Sequence, residues 1–234
     1  MELFQDIWKI ITTAEYRSYL LEGFTNTLII TAIAAVIGLL LGFIVAIIKI
    51  FAKDSKALKI PYIICEFYTT IIRGTPVALQ LIVMVFVILA FPGFKPTAVI
   101  ITFGINSGAY VSESIRAGIM SIDKGQMEAG RSLGLTKLTT MTKIIIPQAV
   151  KNVIPSIGNE LIALVKETAI IPIVGATVGT LTFDLNQAVT TLNFELASYM
   201  APALIAALLY LAIVYAITLA IKLFERKMQS NDKR

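Results

Sequence analysis

The side chains in this sequence best placed to do chemistry sit inside apolar runs. Asn106, Tyr110 and Glu113 lie in one run, and Asn159, Glu160, Lys166, Glu167 and Thr168 in another. An ionisable group at the centre of a bilayer costs at least about 2.5 kcal/mol, so each should be paired or line a cavity. Two chemistries fit. One is structural: an ion pair of Lys166 with Glu160 or Glu113, or of Lys166 or Glu167 with another neighbour. The other is recognition of a zwitterion, with the Lys166 ammonium on a carboxylate and an acidic side chain on an amine. Asn106 and Asn159 read first as hydrogen bonders between helices. Arg73 reads as an interfacial anchor or a gate-side residue.

Covalent catalysis is poorly served. The chain has no histidine, which removes Ser–His–Asp and Cys–His machinery, HExxH zinc sites and histidine proton relays. Ser107, in Asn106-Ser107-Gly108, would need a dyad with Lys166, and no spacing brings the two together. Cys65 is the only cysteine. It reads as a structural thiol, since it serves neither an internal disulfide nor a multi-cysteine metal site. There is no GxxxxGK[ST] phosphate loop. The expectation is a chain that is not an enzyme and holds no metal or other cofactor itself.

The elements that must position these residues are membrane helices. The 234 residues are 57% hydrophobic and only 15% charged, with a mean hydropathy of +0.82; soluble domains are about a quarter charged. The composition predicts an all-α polytopic membrane protein, one domain over residues 1–234. Spans are expected over 27–48, 77–94, 97–119, 153–175 and 199–221, each long enough for a bilayer core of about 30 Å. Gly38 and Gly42 form a small-xxx-small pair suited to close helix contact. Residues 1–23, with Trp8, Tyr16 and Tyr19, predict an amphipathic helix in the interface, touching lipid. This acidic start does not read as a cleaved signal peptide. Residues 60–73 read as a lead-in near the membrane face, and 175–197 as an external loop or partly re-entrant piece.

One long polar interruption, residues 121–152, is patterned. A helix is expected from about Asp123 to Leu133. Gly134 then permits a turn that a residue with a Cβ would resist. A second helix starts near Thr136, whose hydroxyl can cap it. On it Leu138, Met141 and Ile145 form one apolar stripe, shaped to dock in a partner's groove or to pack on the chain's own underside.

Five spans place the termini on opposite sides. With the N-terminus outside, the inner loops hold Lys49, Lys53, Lys56, Lys59, Arg116, Lys124, Arg131, Lys137, Lys143 and Lys151, and the C-terminal segment adds Lys222, Arg226, Lys227, Lys233 and Arg234. The outer side holds Lys9, Arg17 and Lys95. The positive-inside rule selects this orientation, with the C-terminus and the patterned stretch cytoplasmic. Topology thus accounts for the net charge of +5, which does not indicate nucleic-acid binding.

Glu128-Ala129-Gly130, Gly134, Ile144 and Ile146-Pro147 resemble the EAA motif, EAA-x3-G-x9-I-x-LP, of permease subunits of binding-protein-dependent ABC importers. Gly130 and Ile146 replace its Ala and Leu. Arg73-Gly74-Thr75-Pro76 with Leu79-Gln80-Leu81 resembles a signature of the polar amino acid permeases. Ala109-Tyr110, Glu113, Arg116 and Gly118-Ile119 resemble their AY-x2-E-x2-R-x-G-I segment. Pro147-Gln148-Ala149, Pro155, Asn159 and Lys166-Glu167-Thr168 resemble PQA…P…N…K-[DE]-T-S, from which Ala169 and Ile170 depart. The likeness runs over about residues 23–225.

The resemblance implies five transmembrane helices, with a cytoplasmic coupling helix between the third and fourth at 121–147. It implies a second permease subunit (the same chain or a homologue), a dimer of ATP-binding subunits that holds ATP and Mg, an external solute-binding protein and a polar amino acid as substrate. It also implies multi-pass residence in a bacterial-type cell (inner) membrane. Carried onto this sequence, the coupling residues are Glu128, Ala129, Gly134, Leu138, Met141, Ile144 and Pro147. The substrate pathway would take Asn106, Tyr110, Glu113, Asn159, Glu160, Lys166, Glu167 and Thr168. An ATP-independent amino acid transporter or channel is the alternative; five spans without an inverted repeat argue against it.

Overall fold

In a computed structural model that describes residues 2–52 and 58–230, all regular structure among those residues is helical. Lys53, Lys56, Lys233 and Arg234, placed above on the inner side, lie outside the described residues. The chain opens with α1 (Glu2–Thr12) and, after a break at Thr13, α2 (Ala14–Ala52). At 1.5 Å per residue the 39 residues of α2 reach about 58 Å, well beyond a bilayer core. The expected interfacial helix over 1–23 is therefore two pieces. Only α1 lies apart, with Phe4, Trp8 and Ile11 exposed and Ile10 packed on Leu192 and Ala201. Residues 14–23 are the first turns of α2.

α2 buries one face and turns the other outward. Ile29, Ile33, Val36, Leu40, Phe43 and Ile47 are exposed along one stripe, as a lipid-facing surface requires. The opposite face packs on α5 (Lys95–Met120). A Cβ on Gly38 would meet Ser107 Oγ at 2.7 Å, and one on Gly42 would meet Val111 Cγ1 at 2.6 Å. Gly104 returns the relation from α5, where a Cβ would meet Ile37 Cγ2 at 2.6 Å. The glycine pair is thus a site of close helix approach.

Between them run α3 (Lys59–Gly74) and α4 (Val77–Val83), the latter continued by a π-turn over Met84–Ile88. The two halves are bent by 108°. The cause is local: Pro76 holds Thr75 extended at φ −122°, ψ 146°, which ends α3, and the helix restarts behind the proline. The expected span over 77–94 is helical only to Ile88. α3 is no mere lead-in, since Ile60, Ile63, Ile64, Phe67 and Ile71 give it an exposed apolar stripe of its own.

α5 leads to α6 (Lys124–Ser132), α7 (Lys137–Thr140) with a π-turn over Met141–Ile145, and α8 (Ile146–Glu167), prolonged by a 3-10 turn to Val174. Lys95, expected only as an outer base, donates to the end carbonyls of Val174 (3.1 Å) and Gly175 (3.3 Å), which a helix end otherwise leaves unsatisfied. Residues 175–197 are not all irregular. Asp184 accepts from the backbone N–H groups of Asn186 and Gln187 and caps α9 (Leu185–Leu196). Its buried stripe is Leu185, Ala188, Val189 and Leu192. α10 (Met200–Ser230) closes the chain and exposes Leu204, Leu208, Leu211, Tyr215 and Leu219.

On length and composition α2 and α10 qualify as membrane spans, and the bent pair α3–α4 adds a third if it is one broken span. α5 and α8 are long enough but carry the polar residues. The main core joins both kinds: Ile30 and Ala34 of α2, Leu81 of α4, Phe103 of α5 and Leu164 of α8 pack together.

Candidate functional site

The hairpin α6–α7 follows the expected pattern closely. Asp123 Oδ1 accepts from Gly125 N at 2.6 Å and caps α6. Gly134 turns the chain at φ +80°, in the left-handed region, with open space around it. Thr136 Oγ1 accepts from Thr139 N at 3.1 Å and caps α7. The two arms touch at Gly130, where a Cβ would meet Thr140 Cγ2 at 2.5 Å. Gly130→Ala should overpack this contact by about 1–3 kcal/mol, more than the roughly 1 kcal/mol that alanine gains in a helix. Faster tryptic cleavage within 124–143 would report it, and Thr140→Ala in the same chain should slow cleavage again.

The expected docking stripe divides. Leu138 is 60% exposed, whereas Met141 and Ile145 are 8% and 6% exposed and face the chain's own interior. Met141 is therefore not a surface residue: the π-turn that carries it packs against α6, α7 and α8. Glu128, Ala129, Gly134 and Pro147 are exposed, and Ile144 is half-buried. Leu133, not anticipated, is 80% exposed and adds a second apolar side chain to the free face. Its position, one residue before the turn glycine, was the available signal.

Above the hairpin lies a knot of ionic groups. Lys49 is buried on α2, on the same face as Gly38 and Gly42. Its Nζ lies 2.5 Å from Glu113 Oε1 and 3.2 Å from Glu66 Oε1, and it donates to Thr69 Oγ1 at 3.2 Å. Glu113 and Thr69 accept hydrogen bonds from the ammonium, and Glu66 adds an ion pair. Glu113 Oε2 accepts from Arg116 Nε at 3.0 Å and Nη2 at 2.7 Å, with Arg73 Nη1 at 3.9 Å. The Arg73 guanidinium stands over the Tyr110 ring, 5.4 Å from its centroid. Sequence reasoning placed Lys49 in a loop; its spacing from Gly42 was the missed sign of burial. Beneath the knot is a cavity of about 730 Å3, walled by Arg73, Tyr110 and Glu113 above and by Met127, Lys137 and Met141 of the hairpin below.

The expected pathway residues do not form one cluster. Tyr110 and Glu113 belong to the knot. Asn106 is buried and donates to Gln80 Oε1 at 3.0 Å. Gln80 Nε2 in turn donates to Ile72 O (2.7 Å) and Thr75 O (3.1 Å), carbonyls freed by the bend before Pro76. Thr168 is buried and donates to Val165 O at 2.7 Å. Glu160 and Glu167 are half-buried on α8. Ser107 is buried against Gly38 while Lys166 is exposed, so the serine–lysine dyad has no support.

The outward face of α8 is unlike those of α2 and α10. Gln148, Asn152, Ser156, Asn159 and Lys166 are exposed, at steps of four, four, three and seven residues, which is one stripe of a helix. A stripe with an exposed lysine does not fit against hydrocarbon. Among the described residues no group of three or more His, Cys, Asp or Glu side chains could hold a metal ion.

An all-helical body with apolar outer helices, one polar helix face and a projecting two-helix hairpin is the build of a membrane transport subunit. Residues 38–230 match the family described as the binding-protein-dependent transport system inner membrane component. The putative glutamine transport system permease protein GlnP of Rickettsia felis is 41% identical over 216 residues, covering 91% of this chain and 94% of the relative. The arginine transport system permease protein ArtQ of Bacillus subtilis is 41% identical over 218 residues, covering 92% and 94%. Among solved structures, an amino acid ABC transporter crystallised with histidines matches with a TM-score of 0.81 and 35% identity, over 93% of this chain and 98% of that one. The methionine transporter MetNI, at 20% identity and a TM-score of 0.76, shares the fold. The chain belongs to the binding-protein-dependent family: it is a multi-pass permease subunit of an ABC importer.

Proposed function

We propose that this subunit carries polar amino acids across a bacterial-type inner membrane on α2, the broken pair α3–α4, α5, α8 and α10, five spans with the N-terminus outside. The polar stripe of α8 carries the reading. It faces a second permease subunit across an aqueous path, so that Asn159 and Lys166 meet the solute and Glu160 and Glu167 lie at its edge. The substrate class rests on the zwitterion chemistry of these groups and on relatives whose names specify glutamine and arginine. The exposed face of α6–α7, with Glu128, Ala129, Leu133, Gly134 and Leu138, docks into an ATP-binding subunit that holds ATP and Mg. A solute-binding protein delivers the amino acid from outside. ATP binding and hydrolysis then switch the spans, because a ligand shifts an equilibrium only through its different affinity for the two states.

Reconstitution of the assembled transporter in proteoliposomes tests this. Uptake of a labelled amino acid should require ATP and the binding protein, and Lys166→Ala should lower it while ATPase turnover without substrate persists. Uptake by the chain alone, without ATP, would instead establish the channel-like alternative.

A further inference from the structure

Among the membrane-embedded helices, α3 is held to the body differently from its neighbours. Of its 16 residues only Cys65 and Thr69 are buried, while α4 beyond the bend is anchored in the main core through Leu81. Polar groups attach α3 instead. Glu66 and Thr69 reach Lys49 of α2, Arg73 reaches toward Glu113, and Tyr68 Oη donates to Ile105 O at 2.6 Å. Its far end is a joint. Nothing lies within 4 Å of a Cβ built on Gly74, Thr75 is extended, and Gln80 satisfies the carbonyls on both sides of the break. The wall of the cavity nearest the joint is α3 itself, through Tyr62, Glu66, Thr69, Thr70 and Arg73.

We infer that α3 is a gating arm, hinged at Gly74–Pro76 and latched shut by Lys49 through Glu66 and Thr69, whose release opens the cavity above the hairpin. Lys49 and Glu66 are positioning residues here; neither need touch the solute. The latch separates from the fold anchor because Lys49 keeps its bond to Glu113 when Glu66 is neutralised, and Glu66 is 41% exposed. The inference goes beyond the proposed docking of the ATP-binding subunit and does not depend on which hairpin residues make it.

Cys65, the single cysteine of the chain, is a native reporter, 6% exposed on the buried side of α3. The experiment measures maleimide labelling of Cys65 by peptide mass spectrometry in the assembled transporter, without nucleotide and with it trapped on the ATP-binding subunits. Losing the Glu66 ion pair and the charge-assisted hydrogen bond from Lys49 to Thr69 should move the opening equilibrium by about tenfold or more. Labelling in Glu66→Gln with Thr69→Val should therefore be about tenfold faster than in the native chain and lose its dependence on nucleotide. Glu66→Asp should restore much of the difference. In the native chain the rate should change between the two nucleotide states. A rate in the native chain that ignores nucleotide, or one unmoved in the double variant, overturns the latch. So does faster labelling accompanied by a fall in melting temperature that Glu66→Asp does not reverse, since that reports a loosened fold.

Discussion

Glu113→Ala is expected to remove most of the folded, monodisperse protein from detergent extracts. Lys49 is 4% exposed at its side chain, and Glu113 provides its shortest contact at 2.5 Å. Breaking a buried ion pair from one side costs about 3–5 kcal/mol, because the remaining charge is left in a poor solvent. Arg116 and Arg73 lose the same carboxylate. Folded domains are stable by only about 5–15 kcal/mol, so a loss of this size is decisive. Fluorescence-detected size exclusion of a tagged chain measures it. Two companions separate charge from packing. Glu66→Gln should leave the folded yield nearly unchanged, and Lys49→Met with Glu113→Gln should recover much of it, because the double change removes both buried charges together. Equal yields for Glu113→Ala and the native chain would mean that the knot contributes nothing to folding.

The second large effect is on assembly. Leu133 and Leu138 are 80% and 60% exposed on the hairpin, and a solvated hairpin gains nothing from showing two leucines to water. If they sit in the groove of an ATP-binding subunit, Leu133→Asp with Leu138→Asp places two charges in a desolvated contact. A central interface side chain contributes about 2 kcal/mol or more, a factor of roughly 30 in affinity. The double variant should therefore fold normally, since exposed substitutions usually change stability by less than about 0.5 kcal/mol, yet lose its partner and its ATP-dependent uptake.

Much of this arrangement was legible in residue types. The hairpin obeys local rules: Asp123 and Thr136 cap, Gly134 turns, and each acts within a few residues of itself. Gly38 and Gly42 announced a close helix contact and lie against Ser107 and Val111. Capping also announced α9, since Asp184 precedes a stripe at Leu185, Ala188, Val189 and Leu192, but the polar residues around it obscured that signal. What local rules do not carry is which helix a side chain meets. Lys49 read as a loop residue just past a span because a lysine is costly in lipid; only the acceptors on α3 and α5 make its burial tolerable. Glu113 read as a pathway residue for the same reason. Met141 shared a stripe with Leu138, but periodicity names a face and not its neighbour, and here the face is divided between the chain's own core and the exterior. The bend of 108° at Thr75-Pro76 turned an expected lead-in and span into a jointed pair.

The most direct measurement is affinity purification of the tagged chain, expressed with its neighbouring ATP-binding subunit, binding protein and partner permease, with ATPase activity assayed on the eluate. The native chain should bring down the ATP-binding subunit in stoichiometric amount with substrate-stimulated hydrolysis, and the Leu133→Asp, Leu138→Asp chain should elute folded and alone. If the ATP-binding subunit remains bound to that variant and hydrolysis stays coupled to uptake, the hairpin is not the docking element, and the account of how ATP reaches the membrane helices is wrong.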